Sequence, residues 1–412
     1  MELKIKYQYT YFIKPFIIEE GKYEKYLLNM LNTKKYKLKL FEKEKDLNLY
    51  SYFIPNVRNY FFPSFEFDNK KINELKTNNN DVNAKIISQF HCNIFEYILE
   101  EKTQGKIDKD DGIFFTIENI EIICFDSGIC FLLLKTRMES STNFSDLLNF
   151  NYKFKDIKAD YNRLKEYNNI KIQTDKFENM LELSNFIDSI IEVNEETDLY
   201  NKRMFAFEYV CIDQENWNRE EDFKNIENDF IKYTNLLSNN NTISFNSKDF
   251  KDNFQEIKGF KFAKFGFTKQ SASLITSNVD INNYTKLLYD FEHEYLYTLI
   301  IALYQRIYLK KIEEKLNSKN NLESGIKNFY KYTNEIWYSE ITNSLTGTMY
   351  YSKWKEIFES DKIYSNIKNK YEIIFKELKI EQNNKSNKIV SIALLVSLLL
   401  NIVNFIAIIK LM

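Results

Sequence analysis

Apolar positions in the first two thirds of this chain come in short blocks rich in aromatic and β-branched residues. These blocks are Lys4 to Ile18, Tyr36 to Phe41, Leu47 to Ile54, Gly112 to Phe125, Ile129 to Arg137, Met204 to Ile212 and Phe260 to Ile275. Their composition and length predict strands. The clearest is Ile120 to Lys135, where Asp126-Ser127-Gly128 separates two apolar runs and predicts a hairpin turn. Helical spacing intervenes at Gly21 to Leu31, Asp175 to Glu192 and Glu220 to Leu237. The mixture predicts one α/β or α+β domain over residues 1–280. Three Asn-rich stretches, Thr77 to Asn83, Ser238 to Thr242 and Asn317 to Asn321, predict loops.

After Asn282 the pattern becomes helical. Tyr284 to Leu316 predicts one long helix, Leu322 to about Glu340 a second, and a third begins near Leu345. In the third, Tyr350, Ile357, Tyr364, Tyr371 and Leu378 recur every seven residues, with Ile367 and Ile374 between them. Such a heptad seam serves either self-association or packing against the two preceding helices. Residues 281–388 therefore form a predicted helical stalk. Its Asn383-Asn384-Lys385-Ser386-Asn387 stretch predicts a flexible collar or hinge.

From Ile389 to Ile409 there is no charge, no Gly and no Pro. At 1.5 Å per residue the run reaches roughly 30 Å, the thickness of a bilayer core, which predicts a single C-terminal transmembrane helix over 389–409. Lys376, Lys379, Lys385 and Lys388 precede it and only Lys410 follows, so the larger part is expected in the cytoplasm, anchored to the inner membrane. Ser397, Asn401 and Asn404 share a helix face with Ala393 and Ala407. An amide facing lipid is costly, so the stripe is expected to meet either a neighbouring helix in a homo-oligomer or a wet pore lined by Asn401 and Asn404.

Charge narrows function mainly by exclusion. With 57 basic and 59 acidic residues, no global field favours direct nucleic-acid binding. Met1 to Tyr11 alternates Lys with Ile and Tyr, without the apolar core of a signal peptide. Cys92, Cys124, Cys130 and Cys211 form no CxxC pair and are expected as free buried thiols, with Cys124 and Cys130 facing across the hairpin. Two histidines, His91 and His293, do not supply a multi-His zinc site or a catalytic triad. No phosphate-binding glycine loop occurs, and no catalytic constellation emerges, so an enzyme is not expected. Arg58, Arg137, Arg163, Arg203, Arg219 and Arg306 are the chain's only planar forks for phosphate.

One segment is more specific. Trp337-Tyr338-Ser339-Glu340-Ile341-Thr342-Asn343, with Gly347 and Trp354 downstream, resembles the motif before the stalk helix of bacterial CorA-like membrane proteins. Leu303-Tyr304-Gln305-Arg306 resembles a motif on their preceding helix. The resemblance covers roughly residues 270–412 and implies a cytoplasmic α/β domain, long helices and a membrane segment at the C-terminus. CorA proteins are pentameric divalent-cation channels, so it also implies a homo-oligomer and a divalent cation such as magnesium. Their Gly-Met-Asn signature and second membrane helix do not occur here. In that respect the chain resembles divergent CorA-like effectors associated with type III CRISPR antiviral defence, which are thought to respond to a nucleotide second messenger. Within the motif, Trp337 and Trp354 are expected as core or interhelix anchors, Glu340 and Asn343 as helix caps or bridges, and Arg306 in a structural pair with Gln305. The expected function is an oligomeric membrane effector or ion channel of this type. The alternative is a non-conducting tail-anchored adaptor whose cytoplasmic domain binds a partner protein.

Overall fold

The computed structural model describes residues 2–99, 103–107, 113–139, 142–157, 170–173, 181–192, 202–241, 254–257, 259–318 and 321–411; from residue 395 onward it describes the backbone alone. The first strand, β1 (Ile5–Ile17), sets the architecture, because both of its faces are buried along much of its length. A turn through Gly21, at φ 86°, leads into α1 (Tyr23–Asn32), which lays Tyr26, Leu27 and Met30 into the core. Next come β2 (Tyr36–Lys39) and the short helices α2 (Leu47–Tyr52), α3 (Pro55–Phe61), α4 (Asn69–Thr77) and α5 (Asn80–Ile87).

Two expectations are corrected here. Leu47 to Ile54 is not a strand: Leu49 and Tyr52, three apart, are its buried positions, and Pro55 starts α3 immediately after it. Thr77 to Asn83 is not a loop. The polar residues there include the cap Asn79, whose side chain accepts from the Val82 amide and starts α5.

The remaining strands are β3 (Cys92–Tyr97), β4 (Thr103–Ile107), the hairpin β5 (Ile113–Phe125) and β6 (Ile129–Met138), then β7 (Ile170–Gln173) and β8 (Leu181–Glu182). After them come β9 (Phe205–Ile212), β10 (Gln255–Ile257), β11 (Ala263–Phe267) and β12 (Ser271–Ser277). Helices α6 (Phe144–Phe154), α7 (Leu183–Ile191) and α8 (Phe223–Thr234) are interleaved with them. Phe260 to Ile275, expected as one strand, contains the turn between β11 and β12.

These strands make one sheet in the order β10-β11-β12-β9-β1-β6-β5-β4-β7-β8, with β3 beside the end of β5 and β2 beside β3. Described pairings are antiparallel except β12 with β9. One face, carrying Phe12, Ile122, Leu132, Leu134 and Val210, packs into a core with α1, α6, α7 and α8. Helices follow β12, with Phe291 and Tyr304 among their residues on the other face of the sheet.

Those helices are α9 (Lys286–Asp290), a π-helical turn at Phe291–Tyr295, α10 (Leu296–Asn317), α11 (Leu322–Lys331) with a second π-helical turn at Tyr332–Ile336, α12 (Leu345–Ile357) and α13 (Ser360–Leu411). The chain divides into two compact units, residues 1–307 with 338–358, and residues 308–337 with 359–412. The sheet unit thus takes in the first half of α10 and all of α12. In it Phe207 stacks on Phe291 at 4.0 Å, Phe125 on Tyr304 at 3.9 Å, and Phe205 meets Trp354 at 5.6 Å.

The heptad is not one seam. Glu359, at φ 52°, separates α12 from α13, so Tyr350 and Ile357 belong to the core of the sheet unit. Tyr364 and Tyr371 belong to the other unit, where both rings pack on Phe329 of α11, at 5.6 and 5.2 Å. Their described packing is within the chain. The collar at Asn383 to Asn387 is also corrected: α13 runs through it unbroken. With no Gly or Pro, the four weak helix formers around Lys385 cost less than the helix on either side contributes.

Among the described residues no helix is long and apolar enough to cross a membrane. The run Ile389 to Ile409 continues α13, but its side chains from residue 395, including Ser397, Asn401 and Asn404, lie outside the described residues.

Candidate functional site

The motif residues of the sequence are brought together only in part. Within the sheet unit, Gln305 on α10 is fully buried and its Oε1 accepts from the Tyr351 hydroxyl of α12 at 2.8 Å. That hydroxyl also lies 3.2 Å from the Tyr338 carbonyl, so one tyrosine ties α10, α12 and the motif segment together. Arg306 places its guanidinium 4.7 Å over the Phe358 ring. Ile341 accepts from the Ile54 amide at 3.0 Å and Thr342 bridges Phe53, which fastens the segment to the start of α3.

Gly347 is required by a close approach: a Cβ there would lie 2.4 Å from the Tyr52 hydroxyl. Trp354 is wholly buried among Phe205, Phe267, Tyr350 and Phe358. Ser339, Glu340 and Asn343 are exposed, and the Ser339 carbonyl accepts from Lys355 at 3.2 Å. In the other unit Trp337 stacks on Tyr364 at 4.5 Å with the rings 4° from parallel. The described contacts of this motif are structural, made by packing and by side-chain and backbone hydrogen bonds.

A charge network on the helix-covered face of the sheet carried no sequence signal, because its members come from β1, β2, β5, β6 and the π-helical turn. Lys135 lies 2.5 Å from Glu292 and 3.9 Å from Glu118, which also pairs with Arg137 at 2.7 Å. Tyr11 donates to Glu292 at 3.4 Å, and burial pushes its phenol well above the ordinary value. Beside it Lys39 pairs with Glu121 at 2.7 Å. Burial opposes the Lys39 charge, yet Tyr297 and Glu121 outweigh it and raise its pKa. Glu292 of the π-helical turn reaches the sheet, while Glu294, two residues on, sits beside Asp290. Burial, reinforced by Asp290, pushes the Glu294 carboxyl up to about 7. These charges largely neutralise one another, which suits holding helix to sheet.

The histidines do not meet. His91 Nδ1 lies 2.9 Å from Asp126 and its ring stacks on Tyr60, while His293 bonds the Tyr289 carbonyl. Cys124 and Cys130 are cross-strand partners, and all four thiols are buried and free. Burial pushes the Cys92 and Cys124 thiols well up, which leaves them poor nucleophiles. Among the described residues no group of three or more His, Cys, Asp or Glu side chains could hold a metal ion. A polar cleft of about 230 Å³ opens between Leu3, Ser145, Leu148 and Asp229. It is smaller than most small-molecule sites.

No protein-family model matches the chain, and no curated protein matches it.

Proposed function

We propose that this protein is a membrane effector, in which a cytoplasmic α/β domain is coupled to a bilayer by the C-terminal helix. The observation that carries the proposal is the uncharged run Ile389 to Ile409 at the end of α13, a helix of 52 residues and hence about 78 Å. The basic residues ahead of the run favour the sheet unit on the cytoplasmic side of the inner membrane. In the CorA-like sense the effector is a homo-oligomer, with the Ser397, Asn401 and Asn404 stripe at the helix interface or the pore. Divalent-cation flux and gating by a nucleotide second messenger in type III CRISPR defence extend the proposal and rest on the motif resemblance alone.

A second reading, a non-conducting tail-anchored adaptor, is favoured by one observation: Tyr364 and Tyr371 pack within the chain, so half of the heptad no longer argues for self-association.

Truncation after Lys385 tests the anchor. It should release the protein from the membrane fraction, and a truncated chain that still sediments with membranes sinks the proposal. Replacing both Asn401 and Asn404 by Leu then separates the two readings. A pore should lose ion leakage from liposomes while inserting at least as well, whereas an anchor should be indifferent.

A further inference from the structure

A row of polar side chains crosses the middle of the sheet on the face covered by α6 and α8. Thr136 of β6, Thr10 of β1, Glu208 of β9 and Ser273 of β12 are successive cross-strand partners. All four are buried, Glu208 completely. The layer above supplies Asn151 from α6, which accepts from Thr10 at 3.1 Å and donates to Glu208 Oε1 at 2.5 Å. It also supplies Thr234 from α8, whose hydroxyl is hydrogen-bonded to that of Ser273. Glu208 Oε2 is buried without a hydrogen-bond partner. A carboxylate so placed would leave a charge with one amide donor in an apolar core, which is far costlier than a neutral acid. An apolar residue in the same strand would avoid the cost altogether, so the row is an expensive way to build a core.

We propose that Glu208 is a proton-held latch: as the neutral acid it seals α6 and α8 onto the sheet, and loss of its proton loosens that layer. Among the described residues, Lys155, just past the end of α6, is the one charged group acting on Glu208, and it favours the ionised form. It is tied to the Tyr152 carbonyl at 2.5 Å and lies 3.6 Å from Asp156, so part of its influence is spent there. From α8 the buried phenol of Tyr233 faces Glu208, and β1 and β12 present only the neutral hydroxyls of Thr10 and Ser273. Burial outweighs both Asn151 and Lys155 and pushes the carboxyl well up. On release the proton passes to water or hydroxide entering between α6 and β9, and the new charge draws solvent after it. The latch is independent of the membrane assignment, since every group in it belongs to the sheet unit.

The test uses the full chain in detergent. Infrared difference spectra between wild type and Glu208→Gln should show a protonated-carboxyl carbonyl band at neutral pH that disappears as pH rises. Amide exchange in α6 and α8 should then climb faster with pH than the intrinsic base-catalysed rate in wild type, and only at the intrinsic rate in Glu208→Gln. Should that variant fail to fold, Glu208→Met, which leaves no polar atom in need of a partner, takes its place. Absence of the band at neutral pH, or identical exchange slopes in wild type and variant, overturns the latch.

Discussion

At the scale of single residues, the contacts that matter most are those with no slack. Gly347 faces the Tyr52 ring and the Thr342 methyl at distances no real Cβ occupies. Gly347→Ala should therefore force α12 off α2 and destabilise the protein by about 1–3 kcal/mol, read as a lower urea midpoint. Trp354→Ala empties a site enclosed by four aromatic rings and should cost about 3–5 kcal/mol by the same measurement. Two carboxyls give a pH prediction. Glu208 and Glu294 both have pKa values raised by burial above 4.5, so the stability tied to their protonated forms is fully present below that pH and falls as pH rises. For Glu294 the loss is complete once pH passes about 7. Glu294→Gln should thus gain on wild type between pH 5 and 7 and hold a constant lead above. A lead that shrinks across that window would contradict the buried-acid assignment.

At the scale of elements, α13 is the decisive one. If it acts as a rigid connection, a helix breaker at Asn384 should uncouple the two ends, since Pro in a helix interior costs about 3 kcal/mol and removes a hydrogen bond. Asn384→Pro should abolish ion leakage or toxicity while leaving the protein in the membrane fraction. Full activity would mean that the segment works as a hinge after all. The pairing of α11 with α13 makes a different prediction. Phe329→Ala strips the common partner from Tyr364 and Tyr371, so amide protection along residues 360–374 should drop. Oligomeric mass should not change, because those rings pack within one chain.

At the scale of the whole molecule, the proposed function turns on assembly. An amide-bearing stripe in a membrane helix needs a partner surface, and a second copy of the chain is the simplest source. The detergent-solubilised protein should therefore have the mass of a closed homo-oligomer, and Asn401→Leu with Asn404→Leu should shift it toward monomer if the stripe is a helix interface. A monomer at micromolar concentration in wild type would leave the adaptor as the better account.

How far the chain could be read without coordinates depended on the range of the interactions involved. The β5–β6 hairpin with Cys124 opposite Cys130, the central strand β1, strand β9 and the long helix α10 were legible, because alternation, turn chemistry and helical spacing act over a few residues. The same local grammar failed where two patterns coincide, as in Leu47 to Ile54, and where a polar residue caps a helix, as Asn79 does. Gly347 and Trp354 stood out as a motif, but their role as packing against α2 and β9 was not legible. The residues that determine it, Tyr52 and Phe205, are far away in sequence. The same distance hid the Lys135–Glu292 network and the row from Thr136 to Ser273, each assembled from strands that only the sheet order makes neighbours. By itself the sequence determined the mixed α/β character, the uncharged C-terminal run and the lysine asymmetry before it, all properties of contiguous residues. Tertiary structure alone decided that the heptad divides between two cores, that the Asn-rich stretch is helix, and that a carboxyl lies buried at the centre of the sheet. Pairing partners and burial are set by where the chain returns to itself, and no local window carries that information.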